Sequence, residues 1–154
     1  ETFNLKNELD GIIKRYEYLK DTEGYEIIVQ IPNEIIVCAD KNKINQVIYN
    51  LVNNGLNYTG DDKKVKINIV EDKKDYLVEI IDSGKGIDSK DIDHIWDKYY
   101  KKDKNHKRNV VGTGLGLSIV KEILENHNMS YGVRSVKNKG TTFYFKIKKV
   151  NVKK

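Results

Sequence analysis

The sequence predicts an α/β fold of the α+β type, with helices on one face of a mixed, mostly antiparallel sheet. Three observations support this prediction. Apolar residues recur at helical spacing in three segments, runs rich in β-branched residues come in consecutive pairs, and turn-forming residues separate the two members of each pair. Strands joined by short turns favour antiparallel neighbours, and amphipathic helices must bury their apolar stripes against a second layer.

The first half of the chain supplies two helices and one pair of strands. Residues 5–20 place their apolar side chains on one helical stripe. The β-rich runs 25–31 and 34–39 are separated by a proline–asparagine pair, so they predict a hairpin. Asp40 is placed to cap a second helix over about residues 41–58, whose apolar side chains again share one face.

The second half adds two hairpins and a third helix. The paired runs are 64–70 with 75–81, and 131–136 with 141–147. Between the pairs, the polar and aperiodic segment 97–111 predicts a long surface loop, and a glycine cluster then opens a helix that ends at about Asn126.

The length and segmentation of the chain indicate one domain. The 154 residues contain no composition shift typical of a linker, so we expect residues 1–150 to form a single domain and residues 151–154 a tail. No apolar run approaches the roughly 18 residues of a membrane span. The first residue is not methionine, which suggests a piece excised from a longer protein.

Charge and cysteine content exclude little. The formal net charge of +5 reflects lysine spread along the whole chain, so it does not indicate a nucleic acid partner. The single cysteine, Cys38, lies in an apolar run and is expected to be a buried core thiol in a reducing compartment.

Amide side chains form a stripe on the second predicted helix. Gln46, Asn50, Asn54 and Asn57 follow one another at helical spacing, opposite the apolar face. Asparagine is a mediocre helix former, so its abundance here is unfavourable for the helix itself. A solvated polar face is the alternative explanation. Amide oxygens can bind a hard cation such as Mg²⁺, and amide N–H groups can bind phosphate, without adding negative charge.

The loop DSGKGI, residues 82–87, follows the end of a predicted strand. The carboxylate of Asp82 could accept a hydrogen bond from the exocyclic amine of adenine and disfavour a base with a carbonyl in that place. Two glycines, Gly84 and Gly86, follow it. A turn required only for steric reasons explains this motif equally well.

Three alternating glycines precede the third predicted helix. Gly112, Gly114 and Gly116 leave main-chain N–H groups accessible at a helix amino terminus, where the helix dipole favours phosphate. A flexible hinge ahead of the helix is the alternative explanation of these glycines, and the two roles are compatible. The spacing differs from the dinucleotide-binding and P-loop patterns.

Taken together, five segments in this order resemble the motif boxes of the ATP-binding catalytic domain of bacterial sensor histidine kinases, and they cover nearly the whole chain. They are NQVIYNLVNNGLNYT, DSGKGI, IWDKYYK, GTGLGLSIVKEILENH and KGTTFYF. The resemblance implies a two-layer sandwich of a five-stranded sheet with three helices on one face. It also implies that ATP lies between the helices under a mobile lid.

By the same resemblance, Asn50 corresponds to the Mg²⁺ ligand and a catalytic residue, and Asn54 to a contact with phosphate and the metal shell. The adenine pocket corresponds to Tyr58, Asp82, Ile87 and Thr142, with Gly84 and Gly86 at its floor. The phosphate-binding loop and lid hinge correspond to Gly112, Thr113, Gly114, Leu115 and Gly116.

Two lid cations are carried over in the same way. Arg108 resembles a lid arginine that reaches the terminal phosphates, and we count it with Asn50 as catalytic. Lys101 matches the basic residue at the end of the segment IWDKYYK. A solvated loop charge explains either residue as well.

The sequence departs from the family pattern at three places. Asn57 is placed with the cofactor-binding residues but stands where the family often has a phosphate-binding lysine, so one cation is removed and weaker nucleotide binding is expected. Trp96 and Tyr99 replace phenylalanines, and HNMS at 127–130 replaces a histidine–glycine–glycine turn.

The function implied is Mg-ATP binding and donation of the γ-phosphate to a histidine on a separate dimerisation domain of the same kinase, for relay to a response-regulator aspartate. None of His94, His106 and His127 is followed by an acidic residue as in the family's acceptor motif, so we expect the acceptor upstream of Glu1. Gln46 stands where hydrolysing relatives of this fold place a glutamate base, and an amide cannot act as a base.

The alternative function is an ATP-binding regulatory or pseudo-kinase module without phosphotransfer. The resemblance further implies a monomeric fragment of a homodimeric parent, in which this domain is cytoplasmic and the parent is anchored in the bacterial cell membrane.

Overall fold

The computed structural model describes residues 1–97 and 116–150, and these residues form two sheets and four helices. The main sheet has the strand order β2-β4-β5-β7-β6. Its strands are β2 (Glu26–Gln30), β4 (Lys64–Glu71), β5 (Asp75–Asp82), β6 (Tyr131–Val136) and β7 (Gly140–Lys148). β2 pairs with β4 in parallel, and the other three pairings are antiparallel. The predicted mixed, mostly antiparallel five-stranded sheet is therefore confirmed.

The predicted first helix is divided in two. The helices are α1 (Leu5–Arg15), α2 (Glu17–Glu23), α3 (Lys41–Tyr58) and α4 (Gly116–Asn126). At the break, the Tyr16 N–H donates to the Ile13 carbonyl at 3.0 Å instead of continuing the α-helical pattern. Gly24, with a φ of 77°, then ends α2 in the left-handed conformation that favours glycine.

The first predicted hairpin is wrong. The run 25–31 pairs in parallel with β4, with Ile27 opposite Val65. The run 34–39 instead supplies β3 (Ile36–Cys38), which pairs with β1 (Thr2–Asn4) in a separate two-stranded antiparallel sheet. Asn4 holds this junction, because its Oδ1 accepts from the N–H of Ile35 at 3.0 Å and from the N–H of Lys6 at 3.1 Å.

The core lies between the inner face of the main sheet and α3. Inner-face side chains such as Val65, Ile67 and Val78 are fully buried, as are Ile48 and Val52 on α3. Alternate residues of the strands face away from the helices, which follows from the two-residue repeat of a strand. With its apolar face against the sheet, α3 presents its amide stripe on the other side, so the predicted helices on one face of the sheet are confirmed.

The prediction for Cys38 is wrong, because this thiol is exposed. It follows the fully buried Val37 in a strand, and successive side chains of a strand point to opposite faces.

The end of α4 is well formed despite its unusual sequence. The N–H of Met129 donates to the Leu124 carbonyl and that of Asn128 to the Glu125 carbonyl, both at 3.0 Å. Asn128 has a φ of 55°. These are the two bonds of a Schellman motif, with asparagine in the place usually taken by glycine.

Within residues 1–97 and 116–150, none of the helices combines the length and the apolar character needed to cross a bilayer.

Candidate nucleotide-binding site

The amide stripe of α3 meets the start of α4. The Asn50 side-chain N–H donates to the Gly116 carbonyl at 3.5 Å, a long hydrogen bond that brings the predicted metal ligand beside the end of the glycine cluster. Two sequence segments 66 residues apart therefore meet at one place.

Burial increases along this stripe toward the carboxyl end of α3. Gln46 is exposed, Asn50 and Asn54 are half-buried, and Asn57 is only 8% exposed. The Asn57 Oδ1 has no hydrogen-bond partner among the described residues. A buried acceptor without a donor is unfavourable, so the deep end of the stripe contains a polar group that this part of the chain leaves unsatisfied.

Asp82 lies at the same deep end, on the last position of β5. Its side chain is 6% exposed, and its Oδ1 accepts from the Gly84 N–H at 2.8 Å. Burial raises the pKa of Asp82 to about 6, the N–H groups of Gly84 and Thr141 lower it, and the nearby charge of Asp62 raises it further. Burial is the dominant cause, because it disfavours the ionised carboxylate.

Two glycines allow the main chain to close around Asp82. A Cβ at Gly84 would lie 2.0 Å from the Tyr58 carbonyl oxygen, at the end of α3. A Cβ at Gly140 would lie 2.1 Å from the Asp82 carbonyl oxygen, and Gly140 has a φ of 126°. Only glycine fits at these two close approaches, so the loop after β5 packs directly on α3 and on β7.

The rest of the loop is fixed by the hairpin of β6 and β7. The Ile87 N–H donates to the Ser135 Oγ at 2.7 Å, and the Asn138 N–H donates to the Lys85 carbonyl at 2.6 Å. Gly86, which lies between Lys85 and Ile87 in the chain, has a φ of 77°. Tyr58, Asp82, Gly84, Gly86 and Ile87 are thus brought to one region.

Thr142 does not lie in this region. It pairs with Ile81 and Arg134, on the sheet face away from the helices. Its neighbour Thr141 is buried on the inner face, and the Thr141 Oγ1 lies 2.9 Å from the Ser135 Oγ. The placement of Thr142 in the pocket is therefore wrong by one residue, and the alternation of the strand puts Thr141 there. Thr141 has the same parity as the buried Phe143, a signal the sequence contained.

Sequence reasoning also missed a polar network behind Asp82. The Ser83 Oγ donates to Asp62 Oδ1 at 2.6 Å, and the Ser83 N–H donates to the Thr59 Oγ1 at 3.3 Å. The fully buried Thr59 donates its own hydroxyl to the Lys64 carbonyl at 2.6 Å. These bonds join the end of β5 to the turn between α3 and β4, so they fix the position of Asp82.

Several predicted site residues lie outside the described residues. They are Lys101, Arg108, Gly112, Thr113, Gly114 and Leu115, together with the predicted lid and Tyr99. Gly116 is described, as the first residue of α4. Trp96 makes edge-on ring contacts with Tyr131 and Phe143, with ring centroids 5.1 and 5.5 Å apart, so aromatic packing is kept at this position.

The donor chemistry of the candidate site fits a nucleotide with a phosphate-bound cation better than a cation alone. In the described part of the chain, no three His, Cys, Asp or Glu side chains are grouped to hold a metal ion. The residues gathered here instead supply amide oxygens, an unpartnered Asn57 Oδ1 and one buried carboxylate. Such a donor set suits Mg²⁺ that keeps phosphate and water as its other ligands.

Comparison with known proteins identifies the family of this chain. Residues 39–151 match the family described as histidine kinase-, DNA gyrase B- and HSP90-like ATPases. The chain belongs to this family of ATPases, and the family implies nucleotide binding.

Within the family, the chain is similar to sensor histidine kinases. It is 35% identical over 137 residues to the sensor histidine kinase WalK of Bacillus subtilis, a match that covers 87% of this chain and 22% of WalK. It is 32% identical to the sensor histidine kinase YclK of the same organism, covering 92% of this chain and 32% of YclK. The chain thus spans a third or less of these relatives' length.

Solved structures support the same placement. The catalytic domain of histidine kinase ThkA superposes with a TM-score of 0.83 at 28% identity, and the match covers 97% of this chain and 95% of that one. Full-length ShkA in complex with AMPPNP has a TM-score of 0.80 at 19% identity, covering 99% of this chain and 32% of that one, which shows the shared fold. The resemblance to histidine kinase catalytic domains is therefore confirmed.

Proposed function

We propose that this chain binds Mg-ATP and donates the γ-phosphate to a histidine on a separate dimerisation domain of the same kinase, for relay to a response-regulator aspartate. The observation that supports it best is the arrangement along α3. Asn50 meets Gly116 at mid-helix, and buried Asp82 lies beyond the carboxyl end. Asn50 and Tyr58 are eight residues apart, about 12 Å along a helix, a span suited to a nucleotide.

Each side chain has a role in this proposal. Asp82 accepts a hydrogen bond from the adenine amine, and Thr141 takes the pocket position first given to Thr142. Asn50 binds the cation, and Asn54 contacts phosphate. When bound, Mg²⁺ would supply neutralisation of phosphate charge. Arg108 and Lys101 are proposed as lid contacts to the phosphates, beside the loop 112–116.

Transfer is favoured over hydrolysis because the exposed Gln46 cannot activate water as a base. The acceptor histidine belongs to another domain. In the described part of the chain, both ring nitrogens of His127 already have partners. Its Nε2 accepts from the Asp40 N–H at 3.3 Å, and its Nδ1 lies 2.9 Å from the Ile123 carbonyl.

The proposed setting is that of a sensor histidine kinase, the class of protein to which the chain is similar. Residues 1–150 act as one catalytic domain with 151–154 as a tail, in a homodimeric parent anchored in the bacterial cell membrane with this domain in the cytoplasm. The isolated chain is monomeric and binds no nucleic acid. Its partners are the histidine-bearing domain and a response regulator.

A second candidate function is an ATP-binding regulatory or pseudo-kinase module without transfer. One observation favours it. The position where the family often has a phosphate-binding lysine is held by Asn57, which is neutral and buried. Loss of one cation weakens phosphate binding.

The deciding experiment mixes this chain, labelled ATP and the parent's histidine-bearing domain. Acid-labile label on the histidine domain, absent when its histidine is replaced by alanine, supports phosphotransfer. Tight ATP binding by calorimetry with no label transferred supports the second function. Failure to bind Mg-ATP at all rules out both functions.

A further inference from the structure

A serine near the end of β6 lies at the centre of a small group of polar contacts. The Ser135 Oγ accepts from the Ile87 N–H at 2.7 Å and donates to the Gly140 carbonyl at 3.1 Å. The Thr141 Oγ1 lies 2.9 Å from the same oxygen. Ser135 therefore joins the loop after β5 to the first two residues of β7.

The chemistry of a hydroxyl decides the direction of these bonds. A hydroxyl group has one hydrogen to donate and two lone pairs that accept. The Ile87 N–H can only donate and the Gly140 carbonyl can only accept, so the single hydrogen of Ser135 is used on the carbonyl. Only one assignment makes all three contacts hydrogen bonds, and in it the Thr141 hydroxyl donates to Ser135.

This assignment limits what the Thr141 hydroxyl can do beside Asp82. Thr141 is opposite Asp82 in the pairing of β5 with β7, and its N–H donates to the Asp82 carboxylate. Both residues are buried. With its hydrogen on Ser135, the Thr141 Oγ1 has only lone pairs left for another group. A ligand at this place therefore meets two acceptors, the carboxylate and the threonine oxygen.

Two acceptors at one place select the hydrogen-bonding character of a purine base. The exocyclic amine of adenine is a donor, whereas hypoxanthine and guanine carry a carbonyl at the same ring position. A carbonyl oxygen placed against two acceptors is unfavourable. A threonine that could rotate freely would relieve this mismatch, because its hydroxyl would turn its hydrogen toward the carbonyl. Rejection of the carbonyl therefore requires a group that holds the threonine hydrogen elsewhere.

We propose that Ser135 is a positioning residue for base selection, which keeps the Thr141 hydroxyl as an acceptor and so excludes nucleotides with a carbonyl in place of the adenine amine. This inference rests on the proposed function. Ser135 does not touch the base but acts through Thr141, and its bond to the Gly140 carbonyl prevents it from donating to Thr141. Selection is then shared between the Asp82 carboxylate and the orientation of one hydroxyl.

The test compares the binding of ADP and of inosine diphosphate, in which a carbonyl replaces the amine, by calorimetry in the presence of Mg²⁺. The titrations are run at about pH 8, where the Asp82 carboxyl, whose pKa is raised to about 6, is ionised. Ser135→Ala should bind inosine diphosphate about fivefold more tightly than the wild type does, while its ADP affinity changes less. Damage to the fold would weaken the binding of both nucleotides, so a gain for one of them reports a change in selection.

Two further variants serve as controls. Ser135→Thr keeps the hydroxyl and should retain the selection of the wild type. Ser130→Ala removes an exposed hydroxyl from the residue just before β6, and it should leave both affinities unchanged.

A double-mutant cycle tests the route from Ser135 to the base. In the Thr141→Val background, Ser135→Ala should leave the ratio of the two affinities unchanged, because the hydroxyl through which Ser135 acts is gone. Should Ser135→Ala not fold, Ser135→Cys takes its place in the cycle with the same expected outcomes, since a thiol is a weak donor and a weak acceptor.

Unchanged affinity for inosine diphosphate in Ser135→Ala, or an equal gain in the Thr141→Val background, would overturn the role of Ser135 and leave the proposed function intact. Wild-type protein that binds the two nucleotides equally well would also overturn it. Wild-type protein that binds neither nucleotide would refute the proposed function, and the role of Ser135 with it.

Discussion

Replacing Asp82 by asparagine should stabilise the ligand-free protein near neutral pH while weakening its preference for adenine. The carboxyl of Asp82 is buried, and its pKa rises from 3.8 to about 6 on folding. The folded state therefore binds the proton more tightly than the unfolded state does. This contribution to stability is fully present below pH 3.8 and is lost as the pH rises through 6.

The magnitude follows from the two pKa values. At about 1.4 kcal/mol for each tenfold change in proton affinity, the difference between 3.8 and about 6 corresponds to an upper value of about 3 kcal/mol. Roughly 2 kcal/mol of it should appear between about pH 4.5 and pH 8. Asparagine does not titrate, so the variant lacks this loss and its advantage over the wild type should grow with pH.

The assay is urea unfolding of wild type and Asp82→Asn across that pH range, followed by circular dichroism. Any fixed cost of the amide, such as a mismatch with the Thr141 N–H, is the same at every pH and cancels from the pH dependence. Asp93→Asn removes one negative charge from an exposed side chain and controls for net charge. A stability difference between wild type and Asp82→Asn that stays constant with pH would refute the argument from burial.

Nucleotide binding should change in the opposite direction. Only the ionised carboxylate is purely an acceptor, so wild-type ADP affinity should fall below about pH 6, and Asp82→Asn should discriminate less between ADP and GDP at every pH. Equal discrimination by the two proteins would remove Asp82 from base recognition.

Three further predictions concern the same candidate site and its packing. Asn50→Ala should weaken Mg-ADP binding by about tenfold or more in calorimetry, whereas Asn42→Ala, which removes an exposed amide from the same helix, should not. Unchanged affinity in the Asn50→Ala variant would show that Asn50 is not a ligand of the metal. Gly84→Ala should destabilise the fold by about 2–4 kcal/mol, because its Cβ would meet the rigid Tyr58 carbonyl, whereas Gly11→Ala should stabilise the fold by about 0.5–1 kcal/mol. Urea unfolding that ranks the two variants in the opposite order would contradict the packing described around Gly84. Thr141→Val should lower ADP affinity by roughly fivefold and Thr142→Val should leave it unchanged; the reverse result would restore Thr142 to the pocket.

The elements that the sequence predicts well are those determined by local pattern. α3 extends over Lys41–Tyr58 as predicted, because a long apolar stripe and the Asp40 cap lie within one continuous segment; the Asp40 side chain accepts from the Lys43 N–H. The hairpins β4–β5 and β6–β7 are likewise local, and both form.

The errors arise where the partner of an element is distant in sequence. β2 pairs with β4, some 38 residues later, as Glu26 opposite Lys64 shows, and β3 pairs with the first residues of the chain. A pattern of β-branched residues indicates a strand but does not identify its neighbour, so adjacency alone predicts a hairpin. The prediction for Cys38 is wrong for a related reason, since an apolar run does not tell which of its side chains face the core.

The candidate site shows the same division. Asn50, Asp82 and Gly84 could be found because residue type and spacing indicate their chemistry. Thr59 and Ser83 could not, because hydroxyl side chains are common and only the fold brings these two together behind Asp82. Thr141 could have been preferred to Thr142 from the buried phenylalanines that follow with the same parity.

The unfavourable groups of this protein are not spread evenly. Two of them lie at the carboxyl end of α3: the buried carboxylate of Asp82, whose pKa is raised, and the unpartnered Asn57 Oδ1. Two lie near its amino end: the unpartnered Asn45 Oδ1, and Gly11 of α1, where a Cβ would meet nothing within 4 Å. Each of these groups weakens the ligand-free fold, although the Asp82 carboxylate also accepts a hydrogen bond from the Gly84 N–H. Selection for stability alone would remove such groups, since apolar or helix-forming replacements are available at each position. We infer that the carboxyl end of α3, with its buried carboxylate and unsatisfied amide oxygen, is kept for a ligand, which in the proposed function is the nucleotide base.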